Sequence, residues 1–186
     1  MKNILLISIF YIITISLSAQ RSTDEMPFGL KEGFKMQAIE KVVLKSPDLE
    51  RIKKEDLEND LKHGPLRYAC SVMVKYTTEN SGVWQQFDDG SKIWRLKVNL
   101  PGALSTNTYY NRFWIPEGSS FFVYNEKTNQ YIGAIISEFI EGSKENPIKF
   151  ATSLIFGEDV IYEYYQPASV KDQPDILISS VMSAFT

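Results

Sequence analysis

The chain has 186 residues, 13% of them aromatic and 23% charged, and its formal net charge is −3. This length suits one domain with a core of its own, and the mild, dispersed charge excludes a nucleic-acid-binding footprint. Frequent Tyr, Phe, Val and Ile side chains favour strands over helices.

Residues 1–19 have the three parts of a secretory signal peptide. Lys2 gives a basic start, an apolar run follows from Ile4, and small residues lead to Ala19. We expect cleavage after Ala19 and a secreted, periplasmic or cell-surface location for the rest of the chain. The apolar run is short for a spanning helix and no cysteine follows the cleavage region, so neither stable membrane insertion nor a lipoprotein anchor is predicted.

Residues 20–65 are predicted to form an N-terminal extension that is partly helical. Pro and Gly interrupt any periodic pattern at first, and residues 36–44 fit either an early strand or a binding segment. Ser46 or Asp48 can cap a helix start, but the apolar positions 49, 52, 57 and 61 are only partly helical in spacing. One helix and two shorter pieces both stay open, and Gly64-Pro65 ends either.

Residues 66–167 are predicted to be the main domain. Trp94, Leu96 and Val98 alternate with Arg95 and Lys97, which is typical of a strand with one buried face. Strands bounded by turn residues are predicted at 67–77, 82–87, 92–100, 106–115, 120–125, 131–137, 149–155 and 160–165. Many short strands without intervening helices predict an all-β fold, an antiparallel β-sandwich or jelly roll.

Residues 168–186 are predicted to be a linker-like segment outside this domain. Apolar character resumes at 176–178 and 181–182, and the sequence ends directly afterwards without an obvious closing element. We interpret the segment as truncated.

Cys70 is the only cysteine and His63 the only histidine, so no internal disulfide and no His-rich metal site can form. Neither residue has a recognisable activating neighbour of the kind that a nucleophilic thiol or a Ser-His-Asp triad requires. We predict no catalytic residue and no cofactor, with His63 exposed at a junction. Cys70 is expected to pack as a small apolar side chain on a strand face that it shares with Tyr68, Val72, Val74 and Tyr76.

Acidic pairs at 88–89 and 158–159, and Glu138 with Glu141, offer oxygen ligands of the type that calcium prefers. The first two sequences are also ordinary hairpin turns, since Asp bonds its own backbone and Gly supplies a positive φ. No pair stands out as the two carboxylates of a glycoside hydrolase. We therefore predict no metal site.

Aromatic side chains have two possible roles, a buried core or a face on which sugars stack. Neighbouring residues of a strand point to opposite faces, so Tyr109 with Tyr110, and Tyr164 with Tyr165, each place one ring inward and one outward. The outward rings are the expected contacts with a glycan or a partner protein. The full set is Trp84, Trp94, Trp114, Tyr109, Tyr110, Tyr124, Tyr131, Tyr162, Tyr164 and Tyr165.

Seven short motifs occur in a fixed order along the main domain. They are GVW at 82–84, DGSKIWRL at 89–96, PGA at 101–103, FWIPEG at 113–118, FFVY at 121–124, YIGA at 131–134 and GEDVIYEYYQP at 157–167. This ordered set resembles the N-terminal β-domain that precedes the catalytic domain in secreted bacterial trypsin-like serine endopeptidases of the lysyl-endopeptidase type. Residues 176–185 resemble the short linker strand that those proteins carry before the catalytic domain.

The resemblance implies a pro-region or accessory module. No position of this chain matches the catalytic His, Asp or Ser of the family, so no catalytic residue is carried over. The implied partner is a trypsin-like protease domain, in cis or in trans, which the sandwich would dock onto or help to fold. The contact would be made through an exposed apolar patch or through residues 176–182 added as a strand. The alternative is a carbohydrate-binding or cell-surface-binding module that uses outward aromatics, and a third, weaker alternative is a hydrolase that uses Asp or Glu.

Overall fold

A computed structural model describes residue 23, residues 25–60 and residues 67–185. In these parts the chain forms two β-sheets and one α-helix, which confirms the predicted all-β sandwich with a short helical N-terminal part. The predicted signal peptide and His63 lie outside the described residues. None of the described helices has the length and apolar character needed to cross a bilayer.

The elements follow one another in an order close to the predicted one. In chain order the described residues form β1 (Lys41–Val43), α1 (Leu49–Asp60), β2 (Ala69–Thr77), β3 (Val83–Gln86), β4 (Lys92–Asn99), β5 (Ser105–Trp114), β6 (Ser120–Asn125), β7 (Gln130–Ile135), β8 (Ile148–Ala151), β9 (Ile155–Phe156), β10 (Asp159–Gln166) and β11 (Asp175–Ala184). Short 3-10 turns occupy Phe28–Leu30 and Ser137–Phe139.

The strands are shared between two sheets. Sheet A has the order β1-β4-β10-β6-β7, with β3 also pairing with β4. Sheet B has the order β2-β11-β5-β8, with β9 also pairing with β5. Among the described strands every pair is antiparallel except β1 with β4, which is parallel.

The core lies between the two sheets and is rich in aromatic rings. Trp94, Leu96 and Val98 of β4 point into it, as their alternation predicts. Tyr110 of β5 meets Phe121 of β6 edge-on, with ring centroids 5.9 Å apart, so the contact joins sheet B to sheet A.

The structure decides between the alternatives that the sequence left open for the helix and for residues 36–44. The helix is one piece, and its Asp48 cap accepts the backbone N–H of Arg51 at 3.0 Å. The early-strand alternative for residues 36–44 corresponds to β1. The single strand predicted at 149–155 is wrong, since β8 and β9 are separate strands that pair with different parts of β5.

The linker-like interpretation of residues 168–186 requires correction. Residues Asp175–Ala184 form β11, which pairs with β2 along one edge and with β5 along the other. Ile176, Ile178 and Val181 are buried in the core between the sheets. Because both edges of β11 are occupied, this segment is an internal strand of the sandwich and has no edge with which to join a partner.

Candidate interaction surface

The outer face of sheet A is covered by the chain itself. Residues 25–40, here called the N-terminal strap, cross this face, and Leu30 and Ile39 pack on a small buried cluster of β6, β7 and β10. The Phe28 ring lies 4.6 Å from that of Tyr165 on β10. The Arg95 guanidinium on β4 donates a hydrogen bond to the carbonyl of Gln37. The strap therefore shields side chains that alternation alone would place in solvent.

A buried carboxylate holds the strap in place. Glu163, in the middle of β10, is 0% exposed. Its Oε1 accepts the Phe28 backbone N–H at 2.6 Å, and its Oε2 accepts the Gly29 N–H at 3.0 Å and the Tyr124 hydroxyl at 2.9 Å. Burial raises the pKa of Glu163, although these donors and the charge of Arg95 act in the opposite direction.

The outer face of sheet B carries no such cover among the described residues. Directly paired residues of neighbouring strands project from the same face, so the pairing register defines rows across the sheet. Three successive rows on this side hold no charged side chain. They consist of Ala69, Ala184, Ser105 and Phe156; then Ser71, Met182 and Asn107; then Met73, Ser180, Tyr109 and Ala151.

We call these three rows the outer patch. Its largest side chains are well exposed, at 74% for Met73, 60% for Phe156 and 42% for Tyr109. Tyr68, Leu104 and Leu154 extend its apolar border and are between 45% and 63% exposed. The outward faces of antiparallel sheets are normally polar, and clustered exposed apolar side chains usually mark a contact surface.

A shallow cleft of about 120 Å³ lies in the outer patch. It is lined by Tyr68, Ala69, Asn107, Leu154, Met182 and Ala184. The Asn107 amide nitrogen donates to the Thr152 carbonyl at 3.3 Å, whereas its Oδ1 is buried without a partner in the described part of the chain. The cleft is therefore lined mainly by apolar side chains, which suits an apolar side chain of a protein partner.

Charged groups lie at one end of this face. Lys75 and Lys149 are exposed on the strands that continue past the third row, and Arg112 forms an ion pair with Asp175 at 2.9 Å. The patch is thus uncharged, with two exposed lysines beyond its third row. This distribution favours an apolar partner surface with acidic groups at one border.

The aromatic residues divide more unevenly than their alternation predicts. Five belong to the buried set, namely Trp94, Tyr110, Tyr124, Tyr162 and Tyr164. Tyr109 points outward beside the inward Tyr110, as predicted. Tyr165 is outward too, but the strap covers it. Trp84, Trp114 and Tyr131 are half-buried, so no row of exposed tryptophans is available for stacking on a sugar.

The other predicted candidates are dispersed. Cys70 is half-buried at the edge of sheet B, and Tyr68, which the sequence places on the same face, is exposed because the strand begins only at Ala69. Asp89 accepts the backbone N–H and the hydroxyl of Ser91, which lower its pKa and make it a turn residue. Among the described residues no three His, Cys, Asp or Glu side chains form a group that could hold a metal ion.

Acidic residues at 158 and 159 serve the fold. Glu158 accepts the backbone N–H of Gly102 at 2.7 Å. Asp159 is buried, accepts the Asn99 amide at 2.6 Å and pairs with Lys127 at 2.8 Å. Glu138 and Glu141 lie on the surface near the 3-10 turn Ser137–Phe139.

Most residues of the outer patch escape detection from the sequence. Met73 sits in the apolar run 72–74 and Phe156 follows Ile155, so each resembles a core position locally. Such residues can be recognised only as apolar side chains at outward positions of an alternating strand. This recognition requires the pairing register of the strands to be known. No protein-family model matches the chain.

Proposed function

We propose that this chain is an exported, non-catalytic β-sandwich that acts by binding, and that its outer patch docks onto a trypsin-like serine protease domain, in cis or in trans, or assists the folding of that domain. The observation that carries the proposal is the contrast between the two outer faces. The N-terminal strap covers the face of sheet A, whereas the three rows of the outer patch present Met73, Tyr109 and Phe156 to solvent.

The energetics of the outer patch support a binding role. Burial of apolar surface contributes about 25 cal/mol per Å², and large side chains near the centre of an interface contribute most of the affinity. The cleft beside Met182 can receive one such side chain of the partner. The lysines at the margin would steer and orient a partner that is acidic at the matching border.

The choice of partner rests on the resemblance of residues 67–185 to the pre-catalytic domain of lysyl-endopeptidase-type proteins. Docking through residues 176–182 as an added strand is not retained, because β11 is paired on both edges. The apolar patch is the route that the fold leaves available.

The test uses a bacterial lysyl-endopeptidase catalytic domain whose nucleophilic Ser is replaced by Ala. Its binding to this chain is measured by titration calorimetry for the wild type, for Phe156→Glu and for Leu57→Glu. Phe156 is 60% exposed in the outer patch and Leu57 is 67% exposed on α1, so the same charge is introduced at matched exposure on different surfaces. We expect the first variant to weaken binding by about tenfold or more and the second to leave it within about twofold.

Equal losses for the two variants would reject the outer patch as the docking surface. Folding assistance is measured with the same proteins, as the yield of active protease after the denatured catalytic domain is refolded with each variant. An absence of both binding and refolding assistance by the wild type would overturn the docking function.

Glycan binding is the alternative role of the exposed aromatics, and a glycan array distinguishes it. Tyr109 and Tyr68 are the aromatic rings with a polar tip in or beside the patch. The glycan-binding role would be supported if the wild type bound to the array, Tyr109→Ala did not, and the wild type did not bind the protease domain.

A further inference from the structure

The edge of β2 that faces away from β11 pairs with no strand of the described residues. On the β11 side, the Tyr68 carbonyl accepts the N–H of Phe185 at 3.2 Å. On the opposite side, the Asn80 side chain contacts Thr77 and Lys75. The register with β11 is unbroken from Ala69 to Met73, and backbone groups alternate in direction along a strand, so Ala69, Ser71 and Met73 point their N–H and C=O groups to the unpaired edge.

Asn80 closes one end of this edge. Its Oδ1 accepts the Thr77 N–H at 2.8 Å and its Nδ2 donates to the Lys75 carbonyl at 3.1 Å, as a peptide group of a neighbouring strand would. Within the described part of the chain, no hydrogen bond reaches the outward backbone groups of Ala69, Ser71 or Met73. The unpaired stretch therefore runs from Ala69 to Lys75, with Val72 at its centre.

We infer that a second copy of this chain pairs with this edge, antiparallel and related by a two-fold axis at Val72, so that the two copies of sheet B become one continuous sheet. In this register Ser71 of each copy exchanges two hydrogen bonds with Met73 of the other. The N–H of Lys75 donates to the Ala69 carbonyl of the other copy. The inference does not depend on the protease partner, since it concerns the backbone groups of the β2 edge and not the exposed side chains of the outer patch.

Charge and side-chain pattern favour a second copy as the occupant. Lys75 is the charged residue of the 69–75 stretch, and a lysine on an edge strand opposes pairing when it meets another lysine. A two-fold axis at Val72 places Lys75 opposite Ala69, so like charges do not face each other. A strand that pairs with β2 needs apolar side chains on both of its faces, to cover the core side and the outer side of the edge. A second copy of β2 has apolar side chains on both faces.

Both faces of the edge would gain cover. Val72 and Val74 pack against the core but are only half-buried, and pairing sets Val72 against its symmetry mate. On the outer side, Met73 would lie opposite Ser71 of the other copy. The rows of the two outer patches would then continue across the two-fold axis as one surface.

A disulfide trap tests this register. The even-numbered Val72 points its backbone groups away from the partner, so its pair would be of the non-hydrogen-bonded type with Cα atoms about 4.5 Å apart, a separation that a disulfide spans. With the native thiol removed by Cys70→Ser, we expect Val72→Cys to form a disulfide-linked dimer on mild oxidation. The matched control is Lys75→Cys in the same background, because its symmetry mate lies six positions away, about 20 Å.

A second variant tests dimer formation without a cross-link. Ser71→Pro removes an N–H that faces the unpaired edge and takes no part in the sheet B ladder, so the sandwich should fold with an unchanged melting temperature. Sedimentation velocity of the whole chain from about 1 to 200 µM should show a concentration-dependent dimer for the wild type and a monomer for Ser71→Pro. A wild type that stays monomeric over this range overturns the inference, as does equally fast cross-linking of the Lys75→Cys control.

Discussion

Gly29 lies against the Tyr124 hydroxyl so closely that a Cβ at this position would come within 2.0 Å of the hydroxyl oxygen. The backbone of the N-terminal strap can reach Glu163 only because residue 29 has no side chain. We expect Gly29→Ala to displace the strap and to lower the free energy of unfolding by about 1–3 kcal/mol. Hydrogen exchange checks the location of the effect, since the Phe28 and Gly29 amides should lose protection by about tenfold or more while β4 and β11 stay protected.

Tyr124→Phe provides the control for this prediction. It removes the oxygen that a Cβ at residue 29 would meet, so Gly29→Ala should cost less when combined with Tyr124→Phe than it does in the wild type. Equal costs in the two backgrounds would show that the hydroxyl does not determine the choice of glycine.

Glu163 makes the attachment of the strap depend on pH. Burial raises the folded-state pKa of Glu163 above its ordinary value of 4.5. A raised pKa means that the folded chain binds the proton more tightly than the unfolded chain does. Its contribution is therefore fully present below pH 4.5 and is lost as pH rises through the folded pKa.

Glu163→Gln removes this titration, and its NH2 group replaces one of the two carboxyl oxygens, so one of the two strap N–H groups would face a donor instead of an acceptor. We expect a cost of about 1–3 kcal/mol at low pH. The difference from the wild type should shrink as pH rises above about 4.5. Urea unfolding between about pH 4 and pH 8 measures it, with Glu50→Gln on α1 as the control for the change in net charge. A difference that grows with pH would mean that the donors outweigh burial.

Asp159 should show the opposite dependence. Burial raises its pKa, but the hydrogen bonds from Lys127 and Asn99 and the charges of Lys127 and Lys97 outweigh burial and hold the pKa below the ordinary 3.8. Its contribution is present above pH 3.8 and is lost as pH falls through the folded pKa.

We expect Asp159→Asn to cost about 1–3 kcal/mol near neutral pH and to cost progressively less in acid. The same change at Asp172, whose ion pair with Lys144 is more than half exposed, should stay within about 0.5 kcal/mol. Chemical denaturation of both variants from about pH 2 to pH 7 gives the comparison. A cost for Asp159→Asn that is independent of pH would contradict an ionised Asp159 in the folded chain.

The strands of the main domain were predictable because each has a regular alternation bounded by turn residues. Strand β6 occupies the predicted residues 120–125, and β4 differs from its prediction by one residue. The place of the final strand in the core was not predicted, because its inward side chains are Ile176, Ile178 and Val181, which do not keep a period of two. A register shift between Ile178 and Ser180 accounts for this, since an irregularity adds a residue between inward positions.

The exposure of aromatic residues was less predictable, because alternation shows that two faces exist but not what covers each of them. Tyr165 is outward on β10 and is nevertheless shielded by Phe28, which is more than a hundred positions away. Glu163 gave a local signal, an acid between Tyr162 and Tyr164 in the middle of a strand whose other polar residues, Asp159 and Gln166, stand at its two ends. The donors that satisfy it come from the strap and from β6, and no local pattern connects these segments.

The position of β11 inside sheet B can be tested with two adjacent residues. Ile178 is 0% exposed and faces the core, whereas Leu177 is half-buried on the other face. Ile178→Ala leaves a cavity between the sheets, and we expect it to lower the free energy of unfolding by about 2–5 kcal/mol. Leu177→Ala should cost about 1 kcal/mol or less, because water and neighbouring side chains fill the space it leaves. A linker outside the domain would tolerate both changes equally, so similar melting temperatures for the two variants would argue against β11 as a core strand.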